Sequence, residues 1–121
     1  MSDIKNLEPK LLWKYFYEIT QIPRPSKKEH RMTEYMKKFG HDHGLETIVD
    51  KIGNVIIRKP ATKGLEKCKG IILQGHLDMV PQKNSDKKFD FDKDAIETRI
   101  DQGWVKANGT TLGADNGIGV A

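Results

Sequence analysis

Three side chains in this chain have the types and spacing to do chemistry together. His76 and Asp78 stand two apart in Gly70-Ile-Ile-Leu-Gln-Gly-His-Leu-Asp-Met-Val-Pro81, and Asp115 sits among glycines in Gly113-Ala-Asp-Asn-Gly-Ile-Gly119. Alternate side chains of an extended backbone point the same way, so His76 and Asp78 would share one face. Two uses of the pair stay open. One is a histidine at a strand end bonded to a neighbouring carboxylate. The other is a metal-bound imidazole whose second ring N–H is held by Asp78, which fixes the tautomer and makes the ligand nitrogen more basic. Asp115 is equally double-valued. It is either a turn or N-cap carboxylate, or a carboxylate shared by two divalent ions, as a two-metal hydrolase requires. One imidazole and one carboxylate complete neither coordination shell. On the metal reading the remaining ligands and the general base lie beyond Ala121.

The elements that must position these groups follow from the hydrophobic pattern. Leu11, Leu12, Tyr15, Phe16, Ile19 and Ile22 recur at helical spacing and predict an amphipathic helix from about Pro9 to Thr20. Pro23 and Pro25 end it. Ser26-Lys-Lys-Glu29 has the form of a capping box, with Ser26 taking the Glu29 N–H and Glu29 returning to Ser26. The helix that follows should end at Gly44, a natural C′ residue. Leu45 to Val49 and Asn54 to Arg58 predict a hairpin across Asp50-Lys-Ile-Gly53. The apolar run Ile71 to Gln74 predicts the buried central strand of a parallel arrangement, with His76 and Asp78 just past its carboxyl end, where open α/β sheets hold ligands. Ile96 to Ile100 and Trp104 to Ala107 predict a second hairpin, and a helix starts near Asn116. Together these give an α/β layer with a mixed sheet.

Composition narrows the function classes. At 121 residues and a net charge of +4, the chain can bury one modest core. Its lysines are scattered or paired beside Glu29, Glu34, Asp86 and Asp90, so they read as solvated faces, not as a nucleic-acid stripe. No apolar run approaches membrane-spanning length, and no signal-peptide pattern opens the chain. The single cysteine, Cys68, excludes an internal disulfide and fits a reducing compartment. These features lead to the expectation of a cytoplasmic protein with no nucleic-acid or membrane partner. The chain closes on Gly-Ile-Gly-Val-Ala121, which resembles the first turn of a helix and reads as the front portion of a longer enzyme.

Other candidate motifs fail on chemistry. Asp90-Phe-Asp-Lys-Asp94 begins like a calcium loop, but Ala95 replaces the required glycine and Asp101 the bidentate glutamate. His41 and His43 sit in a helix's last turn, where the dipole accounts for them. Gly70 and Gly75 have P-loop spacing, with His76 where lysine is needed. Gly117-Ile-Gly119 follows no apolar strand, so it lacks the context of a dinucleotide fingerprint.

Two longer stretches are more specific. Gly75-His-Leu-Asp-Met-Val-Pro-Gln-Lys-Asn84 and Trp104 through Ala121 resemble the M20 family of dinuclear zinc peptidases, and within it the bacterial aminoacyl-histidine dipeptidase branch. The resemblance extends to Ile22-Pro-Arg-Pro-Ser26 and to the hairpin containing Gly53-Asn54. It implies the N-terminal part of a zinc-peptidase-like α/β/α sandwich with a mixed sheet, cut short at Ala121. Residues 1–121 would then be the first portion of the catalytic domain, without the second domain that serves as lid or dimerisation module. It further implies that His76 binds one of two divalent ions, that Asp78 plays the catalytic supporting role behind it, that Asp115 bridges the two ions, and that a non-proline cis peptide joins Asp115 to Asn116. Zinc is the favoured metal, with manganese and cobalt as alternatives, and the substrate is a small peptide, with Xaa-His among the dipeptides cleaved. The family's Glu-Glu pair, later carboxylate ligand and C-terminal histidine have no counterpart here. Deacylase, tripeptidase and carboxypeptidase activities, a homodimeric full-length enzyme, and a catalytically silent structural or partner-binding role for these residues alone all stay open.

Overall fold

The computed structural model describes residues 3–121, which form two compact units: one reaching to Met32 and resuming over Gly75–Ala121, the other Thr33–Gln74. In the first unit, a single 3-10 turn over Ile4–Asn6 precedes α1, Lys10–Thr20. Phe16 and Ile19 are buried on the inner stripe of α1, while Leu11 stays exposed. They meet Ile4, Met79 and Ile96 in the apolar core, to which Met32 of α2 (His30–Asp42) also belongs. The predicted second hairpin is present as β3, Thr98–Asp101, and β4, Trp104–Ala107. Gln102 and Gly103 both take positive φ, +51° and +81°, which is the geometry of the two-residue turn that matches strand twist. Ile96 lies just before β3, and its N–H reaches the Thr20 carbonyl at the end of α1 (2.9 Å), so the hairpin is tied to the helix by backbone. Residues 82–84 run against 109–111: the Asn84 N–H bonds Gly109 O and the Thr111 N–H bonds Gln82 O. That lane leads into α3, Ala114–Val120.

The second unit is organised locally. α2 closes as the Gly44 prediction required: Gly44 N–H reaches His41 O and Leu45 N–H reaches Gly40 O, the paired bonds of a Schellman end. β1, Glu46–Val49, and β2, Val55–Arg58, pair antiparallel with Val49 opposite Val55. The turn between them is built on one carboxylate. Asp50 Oδ1 accepts the N–H groups of Ile52, Gly53 and Asn54, each at 2.9 Å.

The α/β character is as expected, but the mixed sheet is not formed among the described residues. The sheets are two separate antiparallel pairs, β1–β2 and β3–β4. The buried central strand at Ile71 to Gln74 is a second correction. Ile71, Ile72 and Leu73 are 83, 94 and 88% exposed and lie in no ladder. The physical reason is that a strand exists only with a hydrogen-bonding neighbour, and none of the described segments presents an edge to this run. An apolar run marks a segment that needs cover; it does not supply the partner. The capping box is the third correction: α2 starts at His30, and Glu29 turns its carboxylate to the Lys27 N–H (2.6 Å), leaving the Ser26 hydroxyl for another partner.

Candidate metal centre

Arg24-Pro-Ser26 and the segment after Gly75 build the site between them. Two prolines around Arg24 forbid a helix there and keep the backbone extended. Residues 24–26 therefore pair with Met79 in a short parallel bridge: Met79 N–H donates to Arg24 O (3.0 Å) and Ser26 N–H to Met79 O (3.2 Å). Because Met79 is buried in the core, that bridge fixes the chain on which His76 and Asp78 ride.

Asp78 lies between two donors. Its Oδ1 is 2.8 Å from His76 Nδ1, and its Oδ2 accepts the Ser26 hydroxyl at 2.5 Å. The Ser26 hydrogen bond, followed by the contact with His76, holds the Asp78 carboxyl below its ordinary pKa and so keeps it ionised. On the other side of the ring, His76 Nε2 is 3.0 Å from Asp115 Oδ1. An ionised carboxylate only accepts hydrogen bonds, so two of them flanking an imidazole favour its protonated form. Accordingly the contacts with Asp115 and then Asp78 raise the His76 pKa above its ordinary value. The ring is half exposed and the Asp115 side chain almost wholly so, which leaves the Nε2 side open to solvent.

Asp115 is delivered by an irregular start to α3. Gly113 precedes it with φ +75°, Asp115 and Asn116 have non-helical dihedrals, and the bond between them is cis, as the family resemblance implied. Behind this turn sits Arg24, 2% exposed. One guanidinium nitrogen donates to the carbonyls of Leu77 and Asp78 (3.1 Å each) and another to Gly113 O at 2.6 Å, while Nε has no partner. Burial lowers the Arg24 pKa, and the charge of Asp78 opposes that shift. A methyl added at Gly113 or Gly117 would lie 2.6 or 2.7 Å from the same guanidinium nitrogen, so a side chain at either position would force the arginine head group to shift.

The three sequence-predicted residues thus come together in one line, carboxylate–imidazole–carboxylate, with Asp78 behind the ring and Asp115 before it. Its donor chemistry fits a divalent ion of the zinc type: an imidazole nitrogen and a carboxylate oxygen converge, and the imidazole's other nitrogen is oriented by a second carboxylate. Among the described residues no group of three or more His, Cys, Asp or Glu able to hold an ion is present, so His76 and Asp115 alone would not complete a coordination shell. Ser26 and Arg24 are the members that sequence reasoning missed. Ser26 was spent on a capping box, and a lone arginine has no periodic signal. The usable clue was the proline on either side of Arg24, which marks extended backbone free to pair with another segment.

Comparison with known proteins places this geometry. No protein-family model matches the chain. Over all 121 residues it is 52% identical to the cytosol non-specific dipeptidase of Escherichia coli K12, matching 25% of that protein. A protein of Pyrococcus abyssi described as a LysW-lysine/LysW-ornithine hydrolase is 33% identical over 70 residues, 56% of this chain and 19% of its own. Among solved structures, the aminoacylhistidine dipeptidase of Vibrio alginolyticus superposes with a TM-score of 0.95 and 50% identity, covering 98% of this chain and 24% of that one. The resemblance to the dipeptidase branch read from the sequence is borne out. Along its whole length the chain is related to the cytosol non-specific and aminoacylhistidine dipeptidases, of which it spans about a quarter.

Proposed function

We propose that the full-length protein containing these residues is a metal-dependent dipeptidase, and that residues 1–121 supply one edge of its metal centre within the catalytic domain. The observation that carries the reading is the 3.0 Å approach of His76 Nε2 to Asp115, with Asp78 on the ring's far nitrogen. A cation would take the place on the Nε2 side of the ring, where His76 and Asp115 approach each other. His76 and Asp115 would hold the metal, with Asp115, its side chain almost wholly exposed, as the carboxylate shared between two ions. Asp78, 2.8 Å from Nδ1, would accept that nitrogen's proton and leave Nε2 as the nitrogen available to a cation. Ser26 keeps Asp78 ionised and pointed at the ring. A bound divalent ion of this kind polarises a peptide carbonyl and lowers the pKa of its water. Imidazole with carboxylate suits zinc, with manganese and cobalt as alternatives.

The names of the relatives support dipeptides as substrates, with aminoacyl-histidine among them, and a cytosolic location; unsubstituted termini belong to the same proposal. No helix among the described residues is long and apolar enough to cross a membrane. A second domain acting as lid or dimer interface, and a homodimer, belong to the same proposal. The test is dipeptide hydrolysis by the full-length protein before and after chelation. Loss of activity and its return with zinc are expected; hydrolysis that continues after complete metal removal overturns the reading. A second reading follows from the incomplete donor set: the isolated 121 residues bind zinc weakly and are catalytically silent. Calorimetric titration checks this, and tight uptake of two ions by the isolated chain would refute it.

A further inference from the structure

A buried cation with no carboxylate in contact is an expensive way to fill space. Removing a guanidinium from water costs several kcal/mol unless its donors are met, and a hydrophobic side chain of similar volume usually packs as well or better. Arg24 is 2% exposed, and its guanidinium donates three hydrogen bonds to backbone carbonyls. The identity of those carbonyls matters. Leu77 separates His76 from Asp78, Asp78 is the carboxylate behind the ring, and Gly113 lies two residues before Asp115. These partners stand 53, 54 and 89 positions from Arg24 in the chain. The guanidinium is planar and rigid, so nitrogens that bond two segments at once fix the separation of those segments. Gly113 and Gly117 show how tightly this segment is drawn onto it, since a Cβ at either would come within 2.7 Å of a guanidinium nitrogen and displace it. The parallel bridge of Pro25 with Met79, in which Met79 N–H donates to Arg24 O, holds the arginine's own backbone to the same segment, so the head group has little freedom to relax.

We propose that Arg24 is a positioning residue of the metal centre: by clamping the carbonyls of Leu77, Asp78 and Gly113 it sets the approach of His76 to Asp115, and with it the affinity and geometry of the ion they hold. This rests on the metal reading above. Lysine keeps the charge but has a single nitrogen, which cannot span both segments in one fixed plane.

The experiment uses the full-length protein with Arg24→Lys, and Ile4→Val as a control in the buried core away from the ligands. Melting temperature, zinc dissociation constant, the visible spectrum of the cobalt-substituted protein, and kcat and KM for a dipeptide are measured on each. Arg24→Lys is expected to weaken zinc binding by about 10- to 100-fold, the range found when groups supporting metal ligands are removed. It should alter the cobalt spectrum and lower kcat more than it raises KM. Ile4→Val should lower the melting temperature and leave the zinc constant and spectrum alone. A folded Arg24→Lys protein with wild-type zinc affinity and cobalt spectrum overturns the proposal, whatever its melting temperature. If Arg24→Lys does not fold, Gly117→Ala gives the same readout from the opposite side, with Arg24 intact but displaced; unchanged zinc affinity in that variant overturns the proposal too. If the wild-type protein takes up no zinc, the function reading fails on its own. Metal-free crystal structures then decide for Arg24: an opening of the His76–Asp115 contact by about 1 Å, a displacement large enough to matter at a reacting centre, supports it, and an unmoved contact overturns it.

Discussion

The two units reach order by opposite routes. In the unit built from residues up to Met32 and from Gly75 onward, every buried apolar side chain of the described core is found: Ile4, Phe16, Ile19, Met32, Met79 and Ile96. Its decisive polar contacts join residues far apart in sequence. In Thr33–Gln74 the decisive contacts are short in sequence: a Schellman end at Gly44 and a turn gathered on Asp50. Its apolar side chains Ile48, Ile52, Ile56 and Ile71 to Leu73 are exposed. The difference teaches where a catalytic geometry can be kept. Local hydrogen bonds specify a turn, whereas convergence of His76 with Asp115 needs a packed core and a buried clamp to hold two distant segments in register.

The largest test of that contrast is at the site itself. In the full-length protein, His76→Ala and Asp115→Ala should each lower kcat/KM for a dipeptide by at least roughly 10³-fold, since each removes several kcal/mol of metal-dependent stabilisation. Ile56→Ala in the other unit should leave it within about twofold, in line with the small effects of exposed substitutions. Steady-state kinetics decide, and equal losses at the two places would dissolve the comparison. Next in size is core truncation. Phe16→Ala empties a 1% exposed site and should cost about 3–5 kcal/mol, against under about 1 kcal/mol for Ile56→Ala, which is 44% exposed. Denaturant unfolding measures both.

A smaller effect is expected one step behind the ligand. Ser26→Ala removes the donor on Asp78 Oδ2 but leaves the Asp78–His76 contact. Zinc affinity should fall by roughly tenfold, the lower end for outer partners of metal ligands. Its pH dependence gives the sharper reading. The Asp78 pKa is depressed in the folded protein chiefly by Ser26, so the stability it contributes is present above its unfolded value and lost as pH falls through the folded one. In Ser26→Ala that loss should be smaller and should be complete at a higher pH, visible in the acid limb of a stability profile. An unshifted limb would place Ser26 outside the site.

What was legible in the sequence follows the same divide. Both hairpins, α1, the end of α2 and the start of α3 were readable because their signals are local: helical spacing from Leu11 to Ile19, turn residues at Asp50–Gly53 and Gln102–Gly103, glycine at position 44. His76, Asp78 and Asp115 were readable as chemistry because so few residue types bind metals. Ser26 and Arg24 were not. Ser26 satisfied a local pattern, and its hydroxyl instead served a carboxylate 52 positions away. Ile71 to Leu73 failed in the converse sense: the run specifies an appetite for burial, and no local rule names the neighbour that would meet it.

The smallest expected effect isolates the local route. Asp50 accepts three backbone N–H groups and the Asn54 side-chain amide (2.7 Å), and these bonds, led by Asn54, hold its carboxyl below the ordinary aspartate value. A depressed carboxylate pKa contributes order above the unfolded value that is lost as pH falls through the folded one. The amide signals of Ile52, Gly53 and Asn54 should therefore titrate together below the usual aspartate range, and Asp50→Ala should abolish that titration and speed their hydrogen exchange. Because the group is fully solvated, global stability should hardly change, and neither should kcat nor zinc affinity. The reason is structural: every bond Asp50 makes closes within four residues, so its removal frees a turn and transmits nothing. If Asp50→Ala instead weakened zinc binding as much as Ser26→Ala does, local and long-range order would be coupled, and the division drawn between the two units would fail.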